Sequence, residues 1–165
     1  MNIDFIILAA GRGTRMGGDS PKVLASLAGK PMIQHLIDTV DSFPNSKTSI
    51  VVGYKSNEVE RNLVSQKKLR FVKQKNQLGT AHAVKQALPN IRKNSVAVIL
   101  YGDVPLVKKN TLNRLIKSAS TGKLSLLTFI KEDPTGYGRI IRGSRKNVQK
   151  ITEHKDASSA EKELR

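Results

Sequence analysis

The sequence predicts an α/β fold of Rossmann-like type, a mostly parallel sheet with helices on both faces. Three observations predict it. Short apolar runs at residues 5–9, 50–52, 96–101 and 124–130 are compact enough for strands buried on both faces. Amphipathic stretches of about ten residues separate them, the βαβ rhythm of a parallel sheet. A long glycine-rich segment follows the first run, where such sheets place ligands, beyond the carboxyl ends of the strands.

Each element has its own signal. Met32, Ile33, Leu36, Ile37 and Val40 share one helical face, with Pro31 at the first helical position. Residues 54–65 form a weaker helix and residues 70–73 a short strand. Ala83, Val84, Ala87 and Leu88 repeat the helical spacing and stop at Pro89. Leu112, Leu115, Ile116 and Ala119 do so again, ending near Gly122. After Gly136 the rhythm changes: residues 139–141 and 148–152 read as a hairpin, and the polar tail 157–165 as a frayed helix.

Length and composition bound the rest. A chain of 165 residues makes one domain, 1–165, large enough for a true core. Apolar residues at 38% and charged residues at 25% exclude a disordered tail. No run approaches 18 apolar residues, and the first run is too short for a secretory leader, so no membrane partner and a cytoplasmic protein are expected. Without cysteine there are no disulfides and no thiolate metal sites. Twenty-nine Lys and Arg against 13 Asp and Glu leave +16, pointing to an anionic partner without naming it.

The glycine-rich segment runs from Leu8, Ala9, Ala10 and Gly11 through Arg12, Gly13, Thr14, Arg15 and Met16 to Pro21 and Lys22. Its glycines let backbone N–H groups wrap an anion. The dinucleotide fingerprint fails because Met16 stands where the third glycine belongs. A P-loop fails because Asp19 follows Gly18 in place of lysine. What remains is a loop with three cations, Arg12, Arg15 and Lys22, which suits a triphosphate; a solvated surface turn is the plain alternative.

This loop resembles the signature of the sugar nucleotidyltransferases. Four further blocks follow in order: residues 74–83 (QKNQLGTAHA), 101–106 (YGDVPL), 133–140 (DPTGYGRI) and 153–156 (EHKD). Together they are similar to the N-acetylglucosamine-1-phosphate uridyltransferase part of the bacterial bifunctional enzymes of UDP-N-acetylglucosamine synthesis. The resemblance implies a fold of the nucleotide-diphospho-sugar transferase type. It also implies transfer of uridylyl from UTP to N-acetylglucosamine 1-phosphate, with release of pyrophosphate and with Mg²⁺ as cofactor. Peptidoglycan and lipopolysaccharide precursors are the implied destination.

The attacking group in that reaction is already an oxyanion, so positioning and charge neutralisation suffice. The resemblance assigns Arg15 and Lys22 to the phosphates as catalytic residues. It assigns Leu8, Ala9, Ala10, Gly11, Gly13, Gln74, Gly79 and Thr80 to the nucleotide, and Tyr101, Gly102, Gly138 and Glu153 to the sugar. Asp103, at the carboxyl edge of its strand, is assigned to the metal; a turn-capping aspartate is its plain reading. His82 reads as structural.

The family continues beyond a point corresponding to Arg165 with a sugar-binding asparagine, a second metal-site asparagine and a β-helix acetyltransferase domain. The resemblance therefore implies a C-terminally incomplete domain with weak Mg²⁺ binding and slow transfer, and no oligomer is expected without the β-helix. Two alternatives stay open: another sugar-1-phosphate nucleotidyltransferase, or an inactive basic fragment binding nucleotides or nucleic acid nonspecifically. For the latter, residues 61–123 hold fourteen Lys and Arg and one acidic residue, Asp103. Against it, no basic run exceeds two residues and seven aromatics make a poor stacking platform, so no specific nucleic-acid partner is expected.

Overall fold

In a computed structural model, residues 1–11, 20–144 and 147–164 are described. The chain divides into two compact units, Met1–Ser125 and Leu126–Arg165.

The first unit is built on strand β1, Asn2–Ala9. The chain then forms a short hairpin of β2, Ser26–Leu27, and β3, Lys30–Pro31, before helix α1, Met32–Asp41. Pro31, with φ −54° and ψ 140°, caps that helix from outside, one residue earlier than expected. Strand β4, Ser46–Val52, leads to α2, Ser56–Arg61, much shorter than the helix expected over 54–65. Then come β5, Leu69–Lys73; α3, Thr80–Ala87; β6, Ser95–Tyr101; and α4, Lys109–Ala119. The sheet runs β5-β4-β1-β6, every pairing parallel, with Ile7 of β1 opposite Ile50 on one side and Leu100 on the other.

Period-two alternation along β1 explains why helices cover both faces. Ile3, Phe5, Ile7 and Ala9 pack with Ile33, Leu36, Ile37 and Val40 of α1, Val59 of α2, and Leu112 and Ile116 of α4. Phe43 meets the Phe5 ring edge-on, 5.3 Å between centroids. On the opposite face Ile6, with Val51, meets Ala83 and Ala87 of α3. Each fully buried large side chain contributes about 1.5–3 kcal/mol.

At the amino ends of these strands lies a buried ion pair. Asp4 is 2% exposed. It accepts from the Arg92 backbone N–H and from its Nε, each at 2.9 Å, while the same guanidinium donates to the Ile3 and Asn45 carbonyls. Burial raises the Asp4 pKa, but the bonds from Arg92 and Ser95 outweigh it and hold the carboxyl below its usual value.

Two strand expectations are corrected. Residues 124–130 form no strand: Leu124, Leu127, Phe129 and Ile130 are 83, 59, 63 and 85% exposed, and no strand among the described residues pairs with them. An apolar run becomes a strand only when a neighbouring backbone takes its N–H and C=O groups, and composition alone cannot supply that neighbour. β6 is buried on one face only, since Val98 and Leu100 point into the core while Ala97, Ile99 and Tyr101 are exposed. α3 packs its apolar face over β1 and β4, leaving that side of β6 uncovered.

The second unit is an antiparallel pair, β7 (Arg139–Arg142) with β8 (Val148–Thr152), as the hairpin reading expects. The tail helix is reduced to α5, Ser159–Lys162. Ser158 and Glu161 cap it reciprocally, and a 2.8 Å ion pair with Lys150 helps hold Glu161 down at about 2. No helix among the described residues is long and apolar enough to cross a membrane.

Candidate active site

The carboxyl ends of β1 and β6 and the start of α3 enclose a cavity of about 440 Å³. Its walls are Leu8 and Ala9 from β1, Ala10 and Gly11 just after it, Lys22 and Val23, Gln74, Gln77, Gly79, Thr80 and Ala83, and Tyr101 with Asp103. Ten of the residues assigned from the sequence thus meet around one space inside the first unit.

Local chemistry explains each placement. Gly79 precedes α3 at φ +93°, a conformation that favours glycine, and turns the chain so that Thr80 begins the helix at the cavity. Gln74 is 5% exposed. Its amide nitrogen bonds the Gly79 carbonyl at 3.1 Å and His82 Nδ1 at 3.0 Å. Gln86 holds the other ring nitrogen of His82 at 3.1 Å. His82 is thus held on both ring nitrogens and stands against the Gln74 amide.

Lys22 opens a short 3₁₀ turn, Lys22–Leu24, whose Val23 is buried beneath the cavity. Its Nζ lies 2.8 Å from Asp103 Oδ2, both side chains more than a third exposed. The pair neutralises itself across the cavity and leaves both groups reachable by ligand. Among the described residues no three His, Asp or Glu converge as a metal cluster. A single cavity carboxylate is nonetheless a donor set that suits Mg²⁺, which takes one or two carboxylates and completes its shell with phosphate oxygens and water.

Other assigned residues fall elsewhere. Gly102 does not line the cavity. Its N–H bonds the Leu8 carbonyl at 2.9 Å, and a Cβ there would stand 3.0 Å from that oxygen and 3.1 Å from Val23, so it serves the packing of β6 on β1. Gly138 and Glu153 lie in the second unit, adjacent to each other: a Cβ on Gly138 would stand 3.9 Å from Glu153 Oε2. Arg15 and Gly13 lie outside the described residues.

Three cavity residues, Val23, Gln77 and Ala83, have no site assignment from the sequence, and Gln77 is the polar one. Gln77 sends its amide nitrogen 2.8 Å to the Ala10 carbonyl, across 67 positions of sequence. Its place in the block around Gln74 was the available signal. Ala10 is braced again from behind by the Tyr54 N–H at 3.4 Å, beside Gly53.

The family described as MobA-like NTP transferase domain matches residues 5–161. The chain is 48% identical over 166 residues to "Bifunctional protein GlmU" of Nitrosomonas eutropha, covering 100% of this chain and 36% of that protein. Its counterpart in Stutzerimonas stutzeri is 47% identical over 165 residues, with the same coverage of both. The chain thus spans about a third of the length of these curated relatives. Among solved structures, HddC of Yersinia pseudotuberculosis complexed with GMP-PN superposes with a TM-score of 0.67 at 24% identity, covering 91% of this chain and 68% of that one. The 4-diphosphocytidyl-2C-methyl-D-erythritol synthase of Anaerococcus prevotii gives 0.58 at 15% identity, covering 92% and 63%. At such identities these two structures speak for the fold alone.

Proposed function

The chain belongs to the family of MobA-like NTP transferase domains, and from that premise we propose that its cavity binds UTP for transfer of uridylyl to N-acetylglucosamine 1-phosphate. The products are UDP-N-acetylglucosamine and pyrophosphate. Support comes from the relatives named GlmU, 44–48% identical over nearly all of this chain, and from the chemistry of the cavity.

Gln74 carries the reading. Both of its side-chain hydrogen bonds run through the amide nitrogen, to Gly79 and His82, which turns Oε1 into the acceptor available for a base. Uracil offers an N3–H to such an oxygen. Cytosine presents an acceptor at N3 and would oppose two lone pairs, a penalty of roughly 1–3 kcal/mol, or about 5- to 150-fold.

In the transfer, an oxygen of the sugar phosphate attacks the α-phosphorus of UTP and the α–β bridging P–O bond breaks. Lys22, reaching into the cavity, neutralises charge on the phosphates as that bond is made and broken. Arg15 is assigned to the pyrophosphate side, and Glu153 beside Gly138 to sugar hydroxyls. Asp103 would hold Mg²⁺, which when bound supplies neutralisation of the triphosphate and in-line orientation. Lys22, which pairs with Asp103 at 2.8 Å, would be free to turn its ammonium to phosphate with Asp103 engaged as a metal ligand.

Calorimetric titration with UTP and CTP in the presence of Mg²⁺ tests the reading. UTP should bind more tightly, and Gln74→Ala should erase the preference. Equal binding of all four nucleotides, abolished by modest salt, would instead establish nonspecific attraction to the +16 chain. A pyrophosphate-release assay with UTP and N-acetylglucosamine 1-phosphate then measures transfer.

A further inference from the structure

The third residue of α3, His82, touches Gln74 without lining the cavity. A glutamine amide has two ends, and by turning over it presents either an oxygen or an NH₂ group to a ligand. Two groups resist that turn at Gln74. One is the Gly79 carbonyl, 3.1 Å from Nε2, which also accepts the Ala83 N–H at 3.1 Å and is fixed by the first turn of α3. The other is His82 Nδ1, 3.0 Å from the same nitrogen. Gln74 is 5% exposed, so water does not stand in for either partner.

The ring's protonation follows from these contacts. A carbonyl only accepts, so one amide hydrogen of Gln74 goes to Gly79 and the other to Nδ1. A neutral imidazole with its lone pair on Nδ1 carries its proton on Nε2. There the Gln86 side-chain amide lies 3.1 Å away and can turn its oxygen to that proton.

From this geometry we infer that His82 is a positioning residue for base specificity. Its Nδ1 lone pair holds Gln74 with Oε1 left for the base, and so works against cytosine. The inference rests on the proposal that Gln74 reads the base of UTP. Cytosine is matched when the amide turns over and offers its NH₂ group to N3. Turning over sets Oε1 against the Nδ1 lone pair and the Gly79 oxygen at once. Without His82 only the second obstacle remains.

Calorimetric titration of the full chain with UTP and with CTP, both with Mg²⁺, tests this on two variants. His82→Ala should tighten CTP about three- to tenfold and leave UTP within about twofold of the parent, since one neutral hydrogen bond no longer opposes the turn. His82→Asp keeps an oxygen that only accepts, so the ratio of CTP to UTP affinity should stay at the parent's value. The added charge acts on both triphosphates alike and cancels in that ratio. Equal weakening of both nucleotides in His82→Ala would make the ring a support of the fold and overturn the inference. A ratio that moves toward CTP as far in His82→Asp as in His82→Ala would overturn it as well.

Nuclear magnetic resonance separates failure of this inference from failure of the uridine reading. Long-range proton–nitrogen correlation spectra distinguish the two tautomers of an imidazole, and the His82 signals are identified by their loss in His82→Ala. Without nucleotide, at about pH 8 where the ring is neutral, they should be those of the Nε2–H form. An Nδ1–H ring would overturn the inference whichever nucleotide the cavity prefers. An Nε2–H ring in a chain that binds UTP and CTP equally would overturn the reading of Gln74, and the inference with it.

Discussion

Replacing Asp4 by alanine perturbs the first unit at the amino ends of three strands, and its consequence can be worked out from the bonds it removes. Asp4 accepts two hydrogen bonds from Arg92, one from the backbone N–H and one from Nε, each 2.9 Å long. Its side chain is 3% exposed, so solvent cannot replace the lost oxygens. A bond to a buried charged group contributes about 1.5 kcal/mol at the low end of its range, giving roughly 3 kcal/mol for two. In a domain of this size that lowers Tm by on the order of 6–12 °C. Asp4→Asn keeps one acceptor oxygen and should fall between the parent and alanine.

The pH dependence follows from the direction of the Asp4 shift. The folded carboxyl titrates below its ordinary value of 3.8, so in acid the unfolded chain binds the extra proton. The stabilisation is then complete above about pH 4 and is lost as pH falls through the depressed folded pKa. Urea unfolding followed by far-ultraviolet dichroism at pH 7 and near pH 2 measures both effects. The gap between parent and Asp4→Asn should be wide at pH 7 and shrink in acid. A loss under 1 kcal/mol for Asp4→Ala at pH 7, or a gap that widens in acid, would refute the reasoning.

Two more substitutions test the corner between β4 and α2. Gly53→Ala places a methyl group 2.9 Å from the Ala10 carbonyl and 3.1 Å from its Cβ. Overpacking against backbone should cost about 1–3 kcal/mol and weaken nucleotide binding, because Ala10 lines the cavity; unchanged unfolding and binding would show that the corner yields freely. Lys55 sits at φ +47°, an uncommon place for a side chain. Lys55→Gly should stabilise by about 0.5–1 kcal/mol and Lys55→Val should destabilise by more, and denaturant midpoints in the reverse order would exclude strain at that residue.

Much of this architecture is legible in the chain because its signals are local. β1 and β4 announce themselves by the apolar runs 5–9 and 50–52 at their carboxyl halves, since strands buried on both faces need no polar side there. α1 and α4 show their buried residues at helical spacing. The walls of the cavity were named through the resemblance to the sugar nucleotidyltransferases, and a parallel sheet, which collects the carboxyl ends of its strands at one edge, brings Leu8, Gln74, Tyr101 and Asp103 together from distant blocks. What escaped depends on partners far away in sequence. Gln77 reaches Ala10 and Glu58 reaches Ser20 through single side-chain bonds that leave no periodic trace. The run at 124–130 looked like β1 in composition but has no ladder partner among the described residues. Gly102 shared a motif with Asp103, yet its lack of a Cβ serves the approach of β6 to β1.

The uncovered side of β6 bears on how the molecule behaves in bulk solution. Among the described residues β6 pairs only with β1, so its outer edge has no ladder partner there, next to Ile99 and Tyr101, which are 48 and 51% exposed. Edges of this kind template the joining of one sheet to another. Mutual repulsion between +16 charges opposes such joining, and it reaches about 10 Å at 0.1 M salt and only about 3 Å at 1 M. The surplus of lysine and arginine thus acts as a colloidal stabiliser, and its protection fades as salt is added.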